Sequence, residues 1–107
     1  KLRGRSSFQS PSYCAIKMIE AAMGGEPYTL PAGCYVNSEE LGYKNVMMAM
    51  PTVIDADGVH YTTPEGTEEE MAALASSAEH LGKTRDEIIA LGIIPAVEEW
   101  TKENPNL

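Results

Sequence analysis

Val46-Met47-Met48-Ala49-Met50-Pro51-Thr52-Val53-Ile54-Asp55-Ala56-Asp57-Gly58 is the stretch that decides the fold. From Val46 to Ile54 nearly every residue is apolar or β-forming, and only Pro51 interrupts the run. Asp55-Ala56-Asp57-Gly58 then makes a tight turn, because glycine takes positive φ without steric cost. Val59 to Thr63 returns as the partner strand. Upstream, Tyr28 to Val36 is also β-rich, but Pro31 and Gly33 suit an edge strand or a bulge better than a central strand. The pattern predicts a three-stranded, mainly antiparallel sheet with helices covering one face.

The helices follow from spacing and punctuation. Ser10-Pro11 suits a helix start, with serine able to cap and proline tolerated in the first turn. Cys14, Ala15, Met18, Ile19, Ala22 and Met23 then recur at helical spacing, and Gly24-Gly25 stops the helix. Thr67 to Glu70 reads as a capping box before a stripe of Met71, Leu74, Ala75, Ala78 and Leu81. Gly82 is expected to end that helix. A second box, Thr84 to Glu87, is expected to start a short helix that stops at Gly92. Beyond Ile93, at most one helical turn and a frayed end are expected. The fold class is α+β: a long N-terminal helix, three strands, then one long and one short C-terminal helix.

The bulk properties narrow the function. At 107 residues the chain suits one domain, able to bury roughly 65% of its unfolded surface. A net charge of −8 argues against nucleic acid or an anionic membrane as partner. The charge is uneven: acidic residues dominate from Asp55 to Glu103, whereas Lys1, Arg3 and Arg5 open the chain. That asymmetry either steers an anionic ligand toward the N-terminal end or marks a solvated acidic face. No apolar run approaches the length of a membrane span. Cys14 and Cys34 lack a C-x-x-C spacing and read as reduced core thiols of a cytoplasmic protein. The opening Lys1-Leu2-Arg3-Gly4 reads like the middle of a longer chain.

Motifs that carry chemistry are sparse. His60, on a strand, and His80, at an expected helix end, stand alone, so no metal site is expected. Gly24-Gly25 follows a helix rather than a strand and is no phosphate cradle. The segment from Gly4 to Ser10 is hydroxyl-rich and leads into the first helix. Its hydroxyls, with the helix amides, are placed either to hold a carboxylate or only to cap the helix.

Set in order, several segments resemble the C-terminal domain of the malate/lactate dehydrogenase family. They are Lys1 to Ser7, Leu30-Pro31 with Tyr35, and above all Leu41-Gly42-Tyr43-Lys44-Asn45-Val46. Met50-Pro51, Gly58-Val59 and Thr67 to Glu70 followed by Ser76-Ser77-Ala78 complete a likeness over roughly residues 1 to 82. In overall likeness it is nearest the malate dehydrogenases. The resemblance implies that residues 1–107 are a C-terminal part of the substrate domain, with 83–107 an atypical extension. It implies a parent oxidoreductase of the tricarboxylic acid cycle, interconverting malate and oxaloacetate with NAD.

The implied partners are an N-terminal Rossmann half and further copies of the same chain. By the same resemblance Ser6 lies beside the substrate, and Ser10 lies near the nicotinamide and substrate. The family's catalytic residues, nucleotide fingerprint and substrate arginines precede Lys1, so none is expected here and the chain alone is expected to be inactive. Other readings are an L-lactate or other 2-hydroxyacid dehydrogenase, or a non-catalytic oligomerisation or interaction module. The run Val46 to Met50 weighs against the module, because it is too apolar for a strand with a solvated face.

Overall fold

A computed structural model of the chain describes residues 7–105 and 107. Among these, the elements run α1 (Gln9–Ala22), β1 (Ala32–Ser38), β2 (Tyr43–Met50), β3 (Thr52–Asp55), β4 (Gly58–Tyr61), α2 (Glu68–Ala90) and α3 (Val97–Glu103). The fold is α+β, as expected, but the three-stranded sheet is not formed. Instead β1 pairs with β2, and β3 pairs with β4, each antiparallel and each two-stranded. The apolar run from Val46 is divided at Pro51, which has no N–H to give to a ladder. The chain forms two compact units, one running up to Pro31 and resuming at Pro51–Thr62, the other made of Ala32–Met50 and Thr63–Leu107.

In the first unit, α1 packs against β3, and Tyr28 forms an isolated antiparallel bridge with Ile54. Each backbone amide of that bridge donates to the other residue's carbonyl at 2.9 Å. The Gly24-Gly25 stop is confirmed in detail. Gly24 takes φ +89°, its amide donates to the Ala21 carbonyl, and the Gly25 amide donates to the Glu20 carbonyl. This is a Schellman termination. A side chain at Gly25 would meet the Glu20 carbonyl oxygen at 2.8 Å, so the second glycine is required for space.

The hairpin turn also forms where expected, with Asp55 opposite Gly58 and Gly58 at φ +128°. The Asp55 carboxylate accepts from the Asp57 amide at 2.9 Å and lies 3.2 Å from His60 Nε2. The Asp57 amide first, and His60 after it, hold the Asp55 pKa below its ordinary value despite some desolvation.

In the second unit, β1 and β2 run in register from Ala32 opposite Met50 to Val36 opposite Val46, with a bulge before Ser38. Strand periodicity puts Cys34, Val36, Val46, Met48 and Met50 on one buried face, while Met47 on the other face is 61% exposed. α2 packs against β2. Thr67 caps α2 as the sequence indicates: its Oγ1 accepts from the Glu70 amide, and Glu70 Oε2 accepts from the Thr67 amide.

The sequence reading is corrected further along. Gly82 does not end the helix; α2 continues unbroken to Ala90. Thr84 is therefore no N-cap, and its hydroxyl donates to the His80 carbonyl one turn back at 3.0 Å. His80 consequently sits inside a helix rather than at its end. The stop is Gly92, at φ +71°, whose amide donates to the Ile89 carbonyl while that of Ile93 donates to the Ile88 carbonyl. At the other end of α1, Ser10 is not the cap: Phe8 holds that position without a side-chain capping bond.

The tail is also more ordered than expected. α3 completes two turns, with Glu98 and Glu99 at its start and Lys102 in its last turn, matching the helix dipole. The C-terminal pair of helices is thus Glu68–Ala90 and Val97–Glu103, divided differently from the sequence reading.

Gly82 is helical and has room. A Cβ there would rest 3.9 Å from the Arg85 guanidinium and 4.0 Å from Val46, both ordinary contacts. Gly82→Ala is expected to stabilise the chain by about 0.5 to 1 kcal/mol, by reducing the backbone entropy lost on folding. A urea midpoint that moves down instead of up would restore the helix end that the sequence suggested.

Candidate functional site

The hydroxyl-rich entry to α1 is the site that the sequence singles out. Ser6 lies outside the described residues. Ser10 is the second residue of α1 and is exposed. The first amides of a helix have no partner within it, and Pro11 contributes no amide at all. Ser12 makes the local side-chain bond, its Oγ donating to the Phe8 carbonyl at 2.6 Å. The first-turn amides of α1 thus give this end the field that favours an anion.

One turn after Ser10, α1 contributes to a concave site with the segment that follows it. A cavity of about 310 Å³ is lined by Tyr13, Cys14, Lys17, Glu26 and Tyr28 among others. The Lys17 ammonium lies 2.7 Å from Glu20 and 5.9 Å from the centre of the Tyr13 ring. The hydrogen bond to Glu20 is the first cause of a raised Lys17 pKa, followed by the charge of the same carboxylate. Tyr28 is buried, and desolvation pushes its hydroxyl above the ordinary tyrosine value, with the neighbouring Cys14 thiol adding to the shift. The sequence did not reveal the Cys14–Tyr28 pairing, because fourteen positions and a helix stop separate the two.

Other chemical groups do not converge. Among the described residues, no three His, Cys, Asp or Glu side chains are grouped to hold a metal ion. His60 pairs with Asp55 on an exposed hairpin face. Neither cysteine is in a disulfide: Cys14 is half-buried and Cys34 is buried, its thiol donating weakly to the Met48 carbonyl. Gly24-Gly25 closes a helix and so is not the strand-to-helix glycine turn that receives a pyrophosphate. No helix of the described chain is long and apolar enough to cross a membrane.

Much apolar surface is left open on α1 and the segments around it. Ala21 is the buried residue of the helix. By contrast Tyr13, Ile16 and Ile19 are each about 60% exposed, and Met23 is 83% exposed. Of the apolar stripe read from the sequence, Cys14 and Met18 are half-buried, whereas Ala15, Ile19, Ala22 and Met23 are exposed. Phe8, Leu30 and Val59 of the same unit are also more than half exposed.

Comparison with known proteins gives a consistent picture. The family model described as the lactate/malate dehydrogenase α/β C-terminal domain matches residues 1–91. A malate dehydrogenase of Geobacillus kaustophilus is 35% identical over 75 residues, covering 69% of this chain and 24% of that protein. One from Anoxybacillus flavithermus has the same identity and coverage. A malate dehydrogenase of Roseiflexus sp. is 32% identical over 79 residues, or 73% of this chain and 25% of the relative. The chain thus spans about a quarter of the length of the curated relatives it matches.

The unequal burial of the two thiols can be read directly. Titration with an aromatic disulfide reagent is expected to modify Cys14 at least about tenfold faster than Cys34, which must wait for local opening. Equal rates, checked with Cys14→Ser and Cys34→Ser, would contradict the placement of Cys34 on the inner face of β1.

Proposed function

The chain belongs to the lactate/malate dehydrogenase C-terminal domain family, and on that premise we propose that residues 1–107 are a C-terminal part of the substrate domain of a malate dehydrogenase. The observation that carries this reading is the likeness, from 32 to 35% identity, to relatives named malate dehydrogenase. The parent would be an oxidoreductase that interconverts malate and oxaloacetate by hydride exchange with NAD, as in the tricarboxylic acid cycle. Of the extension expected at 83–107, only residues 92–107 would lie outside the family match. A cytoplasmic setting fits two cysteines that form no disulfide.

NAD would supply the hydride donor or acceptor, and an N-terminal Rossmann half of the parent would bind it. The work left to this chain is positioning. Ser6 would lie beside the substrate, and Ser10, on the first turn of α1, near substrate and nicotinamide. The amides of that turn favour an anion, so the end of α1 would help to orient a substrate carboxylate. The exposed face of α1 favours a covered position in a larger protein over a free-standing interaction module, because so large an apolar surface is costly in water. Further copies of the chain in a homo-oligomer would add to that cover.

The test is NADH oxidation by the full-length protein that carries this chain, with oxaloacetate and pyruvate offered separately. The reading predicts that kcat/KM for oxaloacetate exceeds that for pyruvate by at least about a hundredfold, since a site built to pair a substrate polar group rejects an analogue lacking it by up to about 10⁴-fold or more. The reverse preference would make the parent a lactate dehydrogenase. Turnover of neither would favour a non-catalytic module.

A further inference from the structure

The segment beyond the family match is not a loose end. Within one compact unit, Trp100 and Tyr35 link it to Asn45 at the start of β2. Trp100, on α3, donates its indole N–H to the Pro95 carbonyl at 2.9 Å, which fixes the ring against its own segment. The ring then meets Tyr35 of β1 edge-on, with centroids 6.4 Å apart and planes at 63°. The Tyr35 hydroxyl donates to the Asn45 side-chain oxygen at the start of β2. Asn45 holds φ +54°, the left-handed region that costs a non-glycine residue strain. Finally Arg85, on α2, donates from Nη1 to the carbonyls of both Lys44 and Asn45 at 2.9 Å. The Asp86 carboxylate steadies that guanidinium by accepting from Nε at 2.8 Å and Nη2 at 2.7 Å.

Asn45 is thus held from two sides. Arg85 binds its backbone from the helix, and Tyr35 binds its side chain from the neighbouring strand. Tyr35 can present its hydroxyl there only while its ring keeps its orientation, and Trp100 packs against that ring. We propose that residues 92–105 act as a strap clipped by Trp100, and that docking or release of the strap is felt at the left-handed Asn45 near the start of β2. Trp100 is a positioning residue in this scheme, acting on Asn45 through Tyr35. Coupling between two sites is reciprocal, so loosening the start of β2 must loosen the strap by the same factor.

Two features suit the segment to such a role. α3 is two turns long and lies outside the family match, so it can leave without unravelling an element of the shared domain. The Trp100–Tyr35 pair that clips it is a modest interaction and therefore reversible. The relay has a graded logic as well: a phenyl ring at position 100 keeps an edge-on partner for Tyr35, whereas an aliphatic side chain does not.

Amide hydrogen exchange on the intact protein carrying this chain tests the proposal, with Trp100→Leu, Trp100→Phe and Arg85→Gln compared with the parent. In Trp100→Leu, the amides from Tyr43 to Val46 are expected to exchange roughly three- to tenfold faster, the range that an edge-on aromatic pair is worth. The β3–β4 hairpin should be unchanged, and Trp100→Phe should restore most of the protection. Arg85→Gln, which does not touch Trp100, should in turn speed exchange within α3. Faster exchange confined to residues 92–105 in Trp100→Leu would overturn the proposal. So would an equal rise across all elements, which would mean general destabilisation, and so would an Arg85→Gln effect that stops at β2.

Discussion

A missing amide hydrogen at Pro51 is the constraint on which the rest of the structure depends. The residues on either side of it form one nearly continuous apolar run, and a strand of that length would ordinarily pair along its whole extent. Because Pro51 cannot donate, the run is shared out. Tyr43–Met50 pairs with β1 and gives Val46, Met48 and Met50 to a buried face against which α2 packs. Thr52–Asp55 pairs with β4, accepts the Tyr28 bridge at Ile54, and meets α1. Even the proline keeps a role in its own unit, its carbonyl accepting from the Thr62 amide at 2.9 Å.

Features set by local backbone chemistry were legible in the sequence. The glycine pair after α1, the capping box at Thr67 and the Asp55–Gly58 turn all form as read, since each is specified by residues within a few positions. What failed depended on distant contacts. Gly82 looked like a stop, but a glycine terminates a helix only when it adopts positive φ and the Schellman bonds close. At Gly82 the helix instead continues, with β2 alongside at Val46 and Arg85 reaching the Lys44 and Asn45 carbonyls. Thr84 looked like a cap for the same reason, and back-bonds within the helix instead. The split sheet was written at Pro51, but choosing partners for its halves required knowing where Tyr28 and β1 lay.

The candidate site was less legible than the fold. Ser6 and Ser10 were reached through family likeness, not through a chemical pattern, and Ser10 proves to be an exposed first-turn residue rather than a cap. The cavity pairing of Cys14 with Tyr28 and the contact of Trp100 with Tyr35 left no trace in spacing. Both join side chains across long separations, and single tyrosines and cysteines carry no periodic signal. On the proposed reading the chain is a scaffold for chemistry, which would offer a helix end for an anion and an apolar helix face.

That uncovered face of α1, bearing Ile16, Ile19 and Met23, is central to the proposed place of the chain in a larger dehydrogenase. Sedimentation velocity of the isolated 107-residue chain over a wide concentration range tests it most directly. The account predicts reversible self-association, with the average mass rising above 11.6 kDa as concentration increases. A single species at that mass up to high concentration would show that the face needs no cover and would contradict the account.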